Sequence, residues 1–290
     1  MKTRRFSFVA VAFSAAMVLG AAAAMGAERN FAAADAAAEK GAIHESAIPA
    51  AKIPKAIVDA VNSPDRPAAD KQIDPGRKPE QLLAFFGIEP GMKVADLWAG
   101  AGYTTELLAR TVGPAGKVYS QNGKFPPQFK KAEEAWKARL KEPGMSNVVE
   151  LEKPFDHPGD ILPVPAGSLD AVILDMNYHD MVGRKYDRAK INAAVFKALK
   201  PGGVYGIVDN SAAPGTGARD TTTLHRIDEA FEIKEIEKAG FKLAATSDVL
   251  RNPKDDRTWF IFKHRGEQDR FVLKFVKPKG AGGVGAGLPH

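Results

Sequence analysis

VADLWAGAGYTTELLA, residues 94–109, reads as an apolar run closed by Asp96, a turn holding Gly100 and Gly102, and a helix opened by Tyr103 and Thr104. Strand, glycine turn and helix in that order make the first unit of an open parallel sheet. There a helix start presents unpaired N–H groups and glycine lets a ligand approach the backbone. A nucleotide-like ligand is the natural occupant. The pyrophosphate fingerprint G-x-G-x-x-G needs a further glycine at the helix start, whereas Gly102 is followed by Tyr103, Thr104 and Thr105, so a dinucleotide fits poorly.

Outward from this unit the chain alternates strand and helix. Pro79 to Phe86 predicts a helix with proline in its first turn and Gly87 at its end. Strands are predicted at Lys117 to Gln121, Val148 to Leu151, Leu169 to Met176, Val204 to Asp209, Phe241 to Leu250 and Phe271 to Lys277. Helices are predicted at Pro127 to Lys141, Lys190 to Leu199 and Ile227 to Ala239. Ala171-Val172-Ile173-Leu174 is apolar on both faces, as a central parallel strand requires. The alternation predicts a doubly wound α/β fold. A short helix is expected from Ile53 to Val61, and the Pro- and Asp-rich stretch from Ser63 to Pro79 reads as irregular, either a lid or a surface connection.

The first 27 residues carry Lys2, Arg4 and Arg5, an apolar stretch shorter than a membrane span, and small residues around Ala24 and Gly26. This predicts a cleavable signal peptide and no stable membrane span after its removal; Thr3-Arg4-Arg5 is also a weak hint of twin-arginine export. The expected organisation is a leader over 1–27, an alanine-rich linker over 28–52, one catalytic-size domain over 53–279 and a glycine-rich disordered tail over 280–290. There is no cysteine, so an exported chain of this length relies on its core and not on disulfides. The formal charge is +6 and the pI is near 9.3. The excess lies partly in the leader and around Lys274, Lys277 and Lys279. Elsewhere Lys and Arg are interleaved with Asp and Glu, the pattern of a solvated surface and not of a nucleic-acid track.

The stretch DLWAGAGYTTE resembles the first motif of class I S-adenosylmethionine-dependent methyltransferases, with Asp96, Gly100 and Gly102 in matching places and Trp98 where a glycine usually stands. The resemblance extends over roughly residues 80 to 277, and with MNYHD downstream it is most like exported predicted methyltransferases of unassigned substrate. It implies a Rossmann-like, mostly parallel seven-stranded sheet with an antiparallel last strand, S-adenosylmethionine as cofactor and a small-molecule methyl acceptor. By the same resemblance Asp96 meets the methionine amino group or shapes the turn. Asn122 takes the place of the ribose-binding acid, keeping an amide's donor and acceptor without the charge. Asp156 either meets the adenine or belongs to an ordinary turn, Asp156-His157-Pro158-Gly159. Trp98 either lies over the cofactor, near the sulfonium, or packs into the sheet. Tyr103, Asp175 and Asn177 complete the expected cofactor-binding set.

Asp175-Met176-Asn177-Tyr178-His179-Asp180 follows the most apolar strand, where open sheets place ligands. His179 is the candidate base, with Tyr178 and Asp180 beside it, since imidazole titrates near neutrality; the alternative is a capping histidine on a solvated loop. Asp209-Asn210 and His225-Arg226 are expected at the same sheet edge. The six histidines show no metal-ligand spacing, which predicts no metal. Absence of G-x-S-x-G, of a P-loop lysine and of N-P-P-Y argues against hydrolase, phosphotransferase and base-methylating readings. The rival from another class is a binding or sensing protein that keeps the fold without turnover.

Overall fold

The computed structural model describes residues 41–280. The leader expected over 1–27, residues 28–40 of the expected linker and residues 281–290 of the expected tail lie outside the described residues.

Eight strands form one sheet: β1 (Ile43–Glu45), β2 (Lys93–Leu97), β3 (Lys117–Asn122), β4 (Val148–Glu152), β5 (Leu169–Asp175), β6 (Leu199–Asn210), β7 (Lys242–Ser247) and β8 (Arg270–Val276). Their spatial order is β1-β7-β8-β6-β5-β2-β3-β4. Strand β8 runs antiparallel to both β6 and β7, and every other pairing is parallel. The sheet is thus the expected one with an additional strand. That strand corrects the expected linker, because Ile43 pairs with Ala245 and Glu45 with Ser247. It is held by backbone pairing more than by burial: Ile43 is 64% exposed, so its stretch carries no apolar period.

The helices are α1 (Lys55–Asn62), α2 (Ala68–Arg77), α3 (Pro79–Phe86), α4 (Tyr103–Val112), α5 (Lys130–Arg139), α6 (Tyr178–Gly183), α7 (Arg188–Ala198) and α8 (Glu229–Lys238). Two correct the sequence reading. Helix α2 occupies the stretch expected to be irregular; Pro75 falls in its last turns, Lys78 ends it in the left-handed region at φ 47°, and Pro79 starts α3. Its sequence is a poor helix former, and ion pairs to neighbouring elements, Arg66–Asp74 and Arg139–Asp70, hold it in place. Helix α6 occupies what the sequence suggested was a loop.

Strand periodicity divides the core into two apolar layers. Val172 and Leu174 join Ala95, Leu97 and, from α7 and α8, Ile191, Val195 and Ile236. On the other face Ala171 and Ile173 join Val94 and, from α1 and α4, Ile57, Leu107 and Leu108. Each valine, leucine or isoleucine among them contributes about 1.5–3 kcal/mol when fully buried. From β2 the chain proceeds to β3 and β4 on one side, then crosses to β5 on the other. The border of β2 and β5 is therefore a topological switch point, and the glycine turn leaves the carboxyl end of β2 there. Among the described residues no helix is long and apolar enough to cross a membrane.

Candidate active site

Past Leu97 the backbone turns through three left-handed residues, Trp98 at φ 54°, Gly100 at φ 58° and Gly102 at φ 86°. For a bulky residue such as Trp98 this conformation is unfavourable and needs compensating contacts. Its N–H donates to Gln121 Oε1 at 2.9 Å. Its ring packs on Phe155 at 5.0 Å and Tyr186 at 6.1 Å, with the Arg184 guanidinium 5.2 Å above it. The Trp98 ring is packed on one side and only partly buried. The two glycines serve different ends. A Cβ on Gly102 would lie 2.5 Å from the Trp136 ring, so glycine there lets α5 close on the turn, whereas a Cβ on Gly100 meets nothing within 4 Å. The backbone at Gly100 is open to a ligand. Helix α4 starts at Gly102 without a side-chain cap.

Asp96 is 1% exposed and turned toward α4, where Thr105 Oγ1 donates to it at 2.5 Å. Burial, opposed by the Thr105 bonds and reinforced by the charge of Asp175, pushes its carboxyl up to about 7. Asp96 thus shapes the turn. Asn122 is 4% exposed and spends both amide atoms on Gly100: Oδ1 accepts from its N–H at 2.9 Å and Nδ2 donates to its carbonyl at 3.2 Å. Where the resemblance implied a ribose contact, the structure shows the amide bracing the loop. Asp156 stands exposed in the turn after Phe155, away from these bonds.

Helix α2 lies across the first turn of α4. The Tyr103 hydroxyl donates to Asp74 at 2.6 Å, and the Arg77 guanidinium stands 4.7 Å above the Tyr103 ring. Burial first, then the hydrogen bond and charge of Asp74, raises the Tyr103 phenol far above its ordinary value. Arg77 and Thr104 both donate to Asp175 Oδ2 at 3.1 Å. Arg270 Nη2 donates to the Gly76 carbonyl at 2.7 Å. A mainly apolar cavity of about 30 Å³ remains here, walled by Leu82, Leu83, Phe86 and Leu107, with Arg77 and Asp175 at its edge. Sequence reasoning found Tyr103 and Asp175 but missed Asp74, Arg77 and Arg270, which sit in or against a helix it did not expect.

At the carboxyl end of β5, Met176 is left-handed at φ 62°. Asn177 Nδ2 donates to the Asp175 carbonyl at 3.0 Å and the Trp98 carbonyl at 3.3 Å, tying the two strand ends together. Tyr178 corrects the expected catalytic set: it is fully buried, its hydroxyl donating to Glu235 at 3.1 Å and accepting from Asn192 at 3.0 Å. Counting from β5, helix α6 turns it into the core.

His179 is 2% exposed, and Asp209 at the end of β6 grips it twice, Oδ2 accepting its N–H at 2.8 Å and Oδ1 facing Nδ1 at 2.6 Å. Burial opposes a proton on this ring, but the Asp209 charge and hydrogen bond, with Asp180, outweigh it and raise its pKa. Its Nε2 faces His225 Nδ1 at 3.3 Å. Asp180 stands 3.9 Å from His179 Nε2 and 3.6 Å from His225 Nδ1. His225, left-handed at φ 53°, packs against Phe260 and Phe262. Burial, ahead of the opposing Asp180 charge, lowers its pKa. His225 and Asp209 are thus together, as the sequence suggested. Arg226 turns away, fully buried against Asp255 at 2.8 Å. Glu232 of α8 was missed. It is fully buried with neither carboxyl oxygen hydrogen-bonded, and burial, followed by the charges of Asp209, Glu235 and Glu229, pushes it well above the ordinary range.

The strand order and the glycine turn at its switch point define the fold of class I S-adenosylmethionine-dependent methyltransferases. A methyltransferase from Aquifex aeolicus, described as S-adenosylmethionine-dependent, superposes with a TM-score of 0.51 at 20% identity, covering 73% of this chain and 98% of that one. An arsenic(III) S-adenosylmethionine methyltransferase from Chlamydomonas reinhardtii gives 0.50 at 19%, covering 80% and 76%. The cyclase SpnF gives 0.52 at 18%, covering 73% and 82%. No family model matches the chain.

Proposed function

We propose that this chain is an exported methyltransferase that uses S-adenosylmethionine to methylate a small-molecule acceptor. The observation that carries the reading is Gly100, whose backbone is open to a ligand at the β2–β5 switch point of a methyltransferase fold. Bound there, S-adenosylmethionine would supply a methyl group activated by its sulfonium. The space over Gly100 and the start of α4, which has no side-chain cap at Gly102, would receive its amino-acid end. Asp96, Asn122 and Gln121 keep the turn in shape, and α2, closed over Tyr103 and Asp175, excludes water.

Positioning accounts for most of the rate in such a displacement, because two centres held at near-attack distance need little further help. His179 and Asp180 are the acceptor-side groups: His179 is aligned by Asp209 and aims Nε2 toward the partly exposed Asp180 and His225. The neighbours bear on fold alone, and the acceptor as a small molecule rests on the interleaved surface charges and on the missing base-methylating signature. Export to the periplasm or the medium rests on Lys2, Arg4, Arg5 and the short apolar run after them.

A binding protein without turnover is the second reading, favoured by Asn122, which leaves no carboxylate at the end of β3 for a ribose. Titration with S-adenosylmethionine followed by transfer of its radiolabelled methyl group to small-molecule extract tests both. Uptake with transfer supports the enzyme, uptake without transfer the binding protein, and no uptake excludes both.

A further inference from the structure

We propose that His179, Asp180 and His225 form a binding site for a divalent first-row transition metal of the zinc type, with three protein ligands and an open coordination position. The ligand atoms all lie within 4.8 Å of one another. His179 Nε2 and His225 Nδ1 are 3.3 Å apart, and Asp180 faces them with different oxygens, Oδ1 at 3.6 Å from His225 Nδ1 and Oδ2 at 3.9 Å from His179 Nε2. A tetrahedral ion with bonds of about 2.0–2.1 Å separates its ligands by roughly 3.3–3.5 Å, so small side-chain adjustments close the triangle. Two imidazoles and one carboxylate suit zinc, cobalt, nickel or iron better than magnesium or calcium, which favour all-oxygen shells.

The groups behind the ligands are arranged as a metal site requires. Asp209 Oδ1, 2.6 Å from His179 Nδ1, places the ring proton on Nδ1 and leaves the Nε2 lone pair free, and Asp209 Oδ2 fixes the backbone of the same residue. A carboxylate behind a ligating histidine sets its tautomer and strengthens its donation. The aromatic rings of Phe260 and Phe262, 5.3 and 5.1 Å from His225, pack against its ring and fix its place. Asp180 and Asp209 bring two negative charges against the one positive charge of Arg184, which lies over Trp98 and is felt at His225, so the balance at the triangle is negative. A pair of imidazoles sharing one hydrogen bond accounts for the 3.3 Å edge but not for Asp180 facing both rings.

With the ion in place Nε2 is a ligand and not a base. Water or an acceptor's oxygen or sulfur then takes the open position, and its proton is lost to solvent as the ion lowers its pKa. That role rests on the methyl-transfer reading; the site itself does not.

The test uses the full chain freed of any purification tag and stripped with a chelator. Zinc is titrated in competition with a chromogenic chelator, and cobalt is added in parallel for its visible spectrum. The expected result is one zinc per chain, a cobalt spectrum of four- or five-coordinate type, and at least a roughly tenfold loss of zinc affinity in His225→Ala and in Asp180→Ala. Both replace partly exposed side chains, and unchanged circular dichroism confirms their fold. No stoichiometric zinc, or equal affinity in the folded variants, overturns the site. S-adenosylmethionine binding measured on the same samples separates the two readings: cofactor uptake without zinc removes only the metal site, and zinc without cofactor uptake removes only the methyltransferase.

Discussion

Asn122 grips Gly100 from both sides, its Oδ1 accepting the glycine N–H at 2.9 Å and its Nδ2 donating to the glycine carbonyl at 3.2 Å. A carboxylate cannot make the second bond. Asn122→Asp therefore sets two oxygens against each other and loosens the turn. Calorimetry is expected to show S-adenosylmethionine bound several-fold more weakly by Asn122→Asp than by the native chain. If the residue faced the ribose instead, the restored charge would tighten binding.

The glycines of the turn predict opposite kinds of damage. Gly102→Ala combines φ 86° with the Trp136 ring 2.5 Å from the new Cβ, and is expected to lower stability by more than about 2 kcal/mol in denaturant titration. Gly100→Ala carries only the conformational cost, about 1–2 kcal/mol, yet places a methyl group in the space left to the ligand. It is expected to weaken cofactor binding by a larger factor than Gly102→Ala does under conditions where both variants are folded. Equal unfolding costs for the two variants would contradict the assignment.

The bond from the Tyr103 hydroxyl to Asp74 ties helix α2 to the first turn of α4. A hydrogen bond to a charged group is worth about 1.5–3 kcal/mol. Tyr103→Phe is expected to speed amide exchange over residues 68–77 at least roughly tenfold, with exchange in β5 unchanged. Uniformly faster exchange would mean global destabilisation and no local latch.

Asp96 gives a pH dependence of definite sign. In the fold it holds its proton to about pH 7, while in the unfolded chain it releases it near 3.8. Between these values the folded state binds more protons, so this residue makes stability fall as pH rises, by about 1.4 kcal/mol per unit of difference, and the effect levels off above pH 7. Asp96→Asn keeps an acceptor for Thr105 and removes the titration. The variant's melting temperature is expected to gain on the native one from pH 4 to 7, and parallel curves would show Asp96 ionised in the fold.

What the sequence made legible was local. Asp96, Gly100 and Gly102 lie within one strand, turn and helix, and the apolar run at 171–174 marks a central strand without reference to anything distant. Strand β1 escaped because backbone pairing to β7 leaves no apolar period, and α2 because Pro75 and Gly76 break a helical pattern that Asp74 secures through Arg66 and Asp70 through the distant Arg139. The partner of Asn122 is set by the register of β2 and β3, which side-chain identity does not encode. His179 and His225 are 46 residues apart, so only the fold brings their nitrogens to 3.3 Å. Glu232 is one of four glutamates in the helix EAFEIKEIEK, and residue type does not tell it from the others.

Isothermal titration of the purified chain with S-adenosylmethionine tests the central claim most directly. The predicted result is saturable one-to-one binding in the native protein, strongly weakened in Gly100→Ala while that variant remains folded. No heat and no thermal shift at saturating S-adenosylmethionine, with the native fold intact, would contradict it.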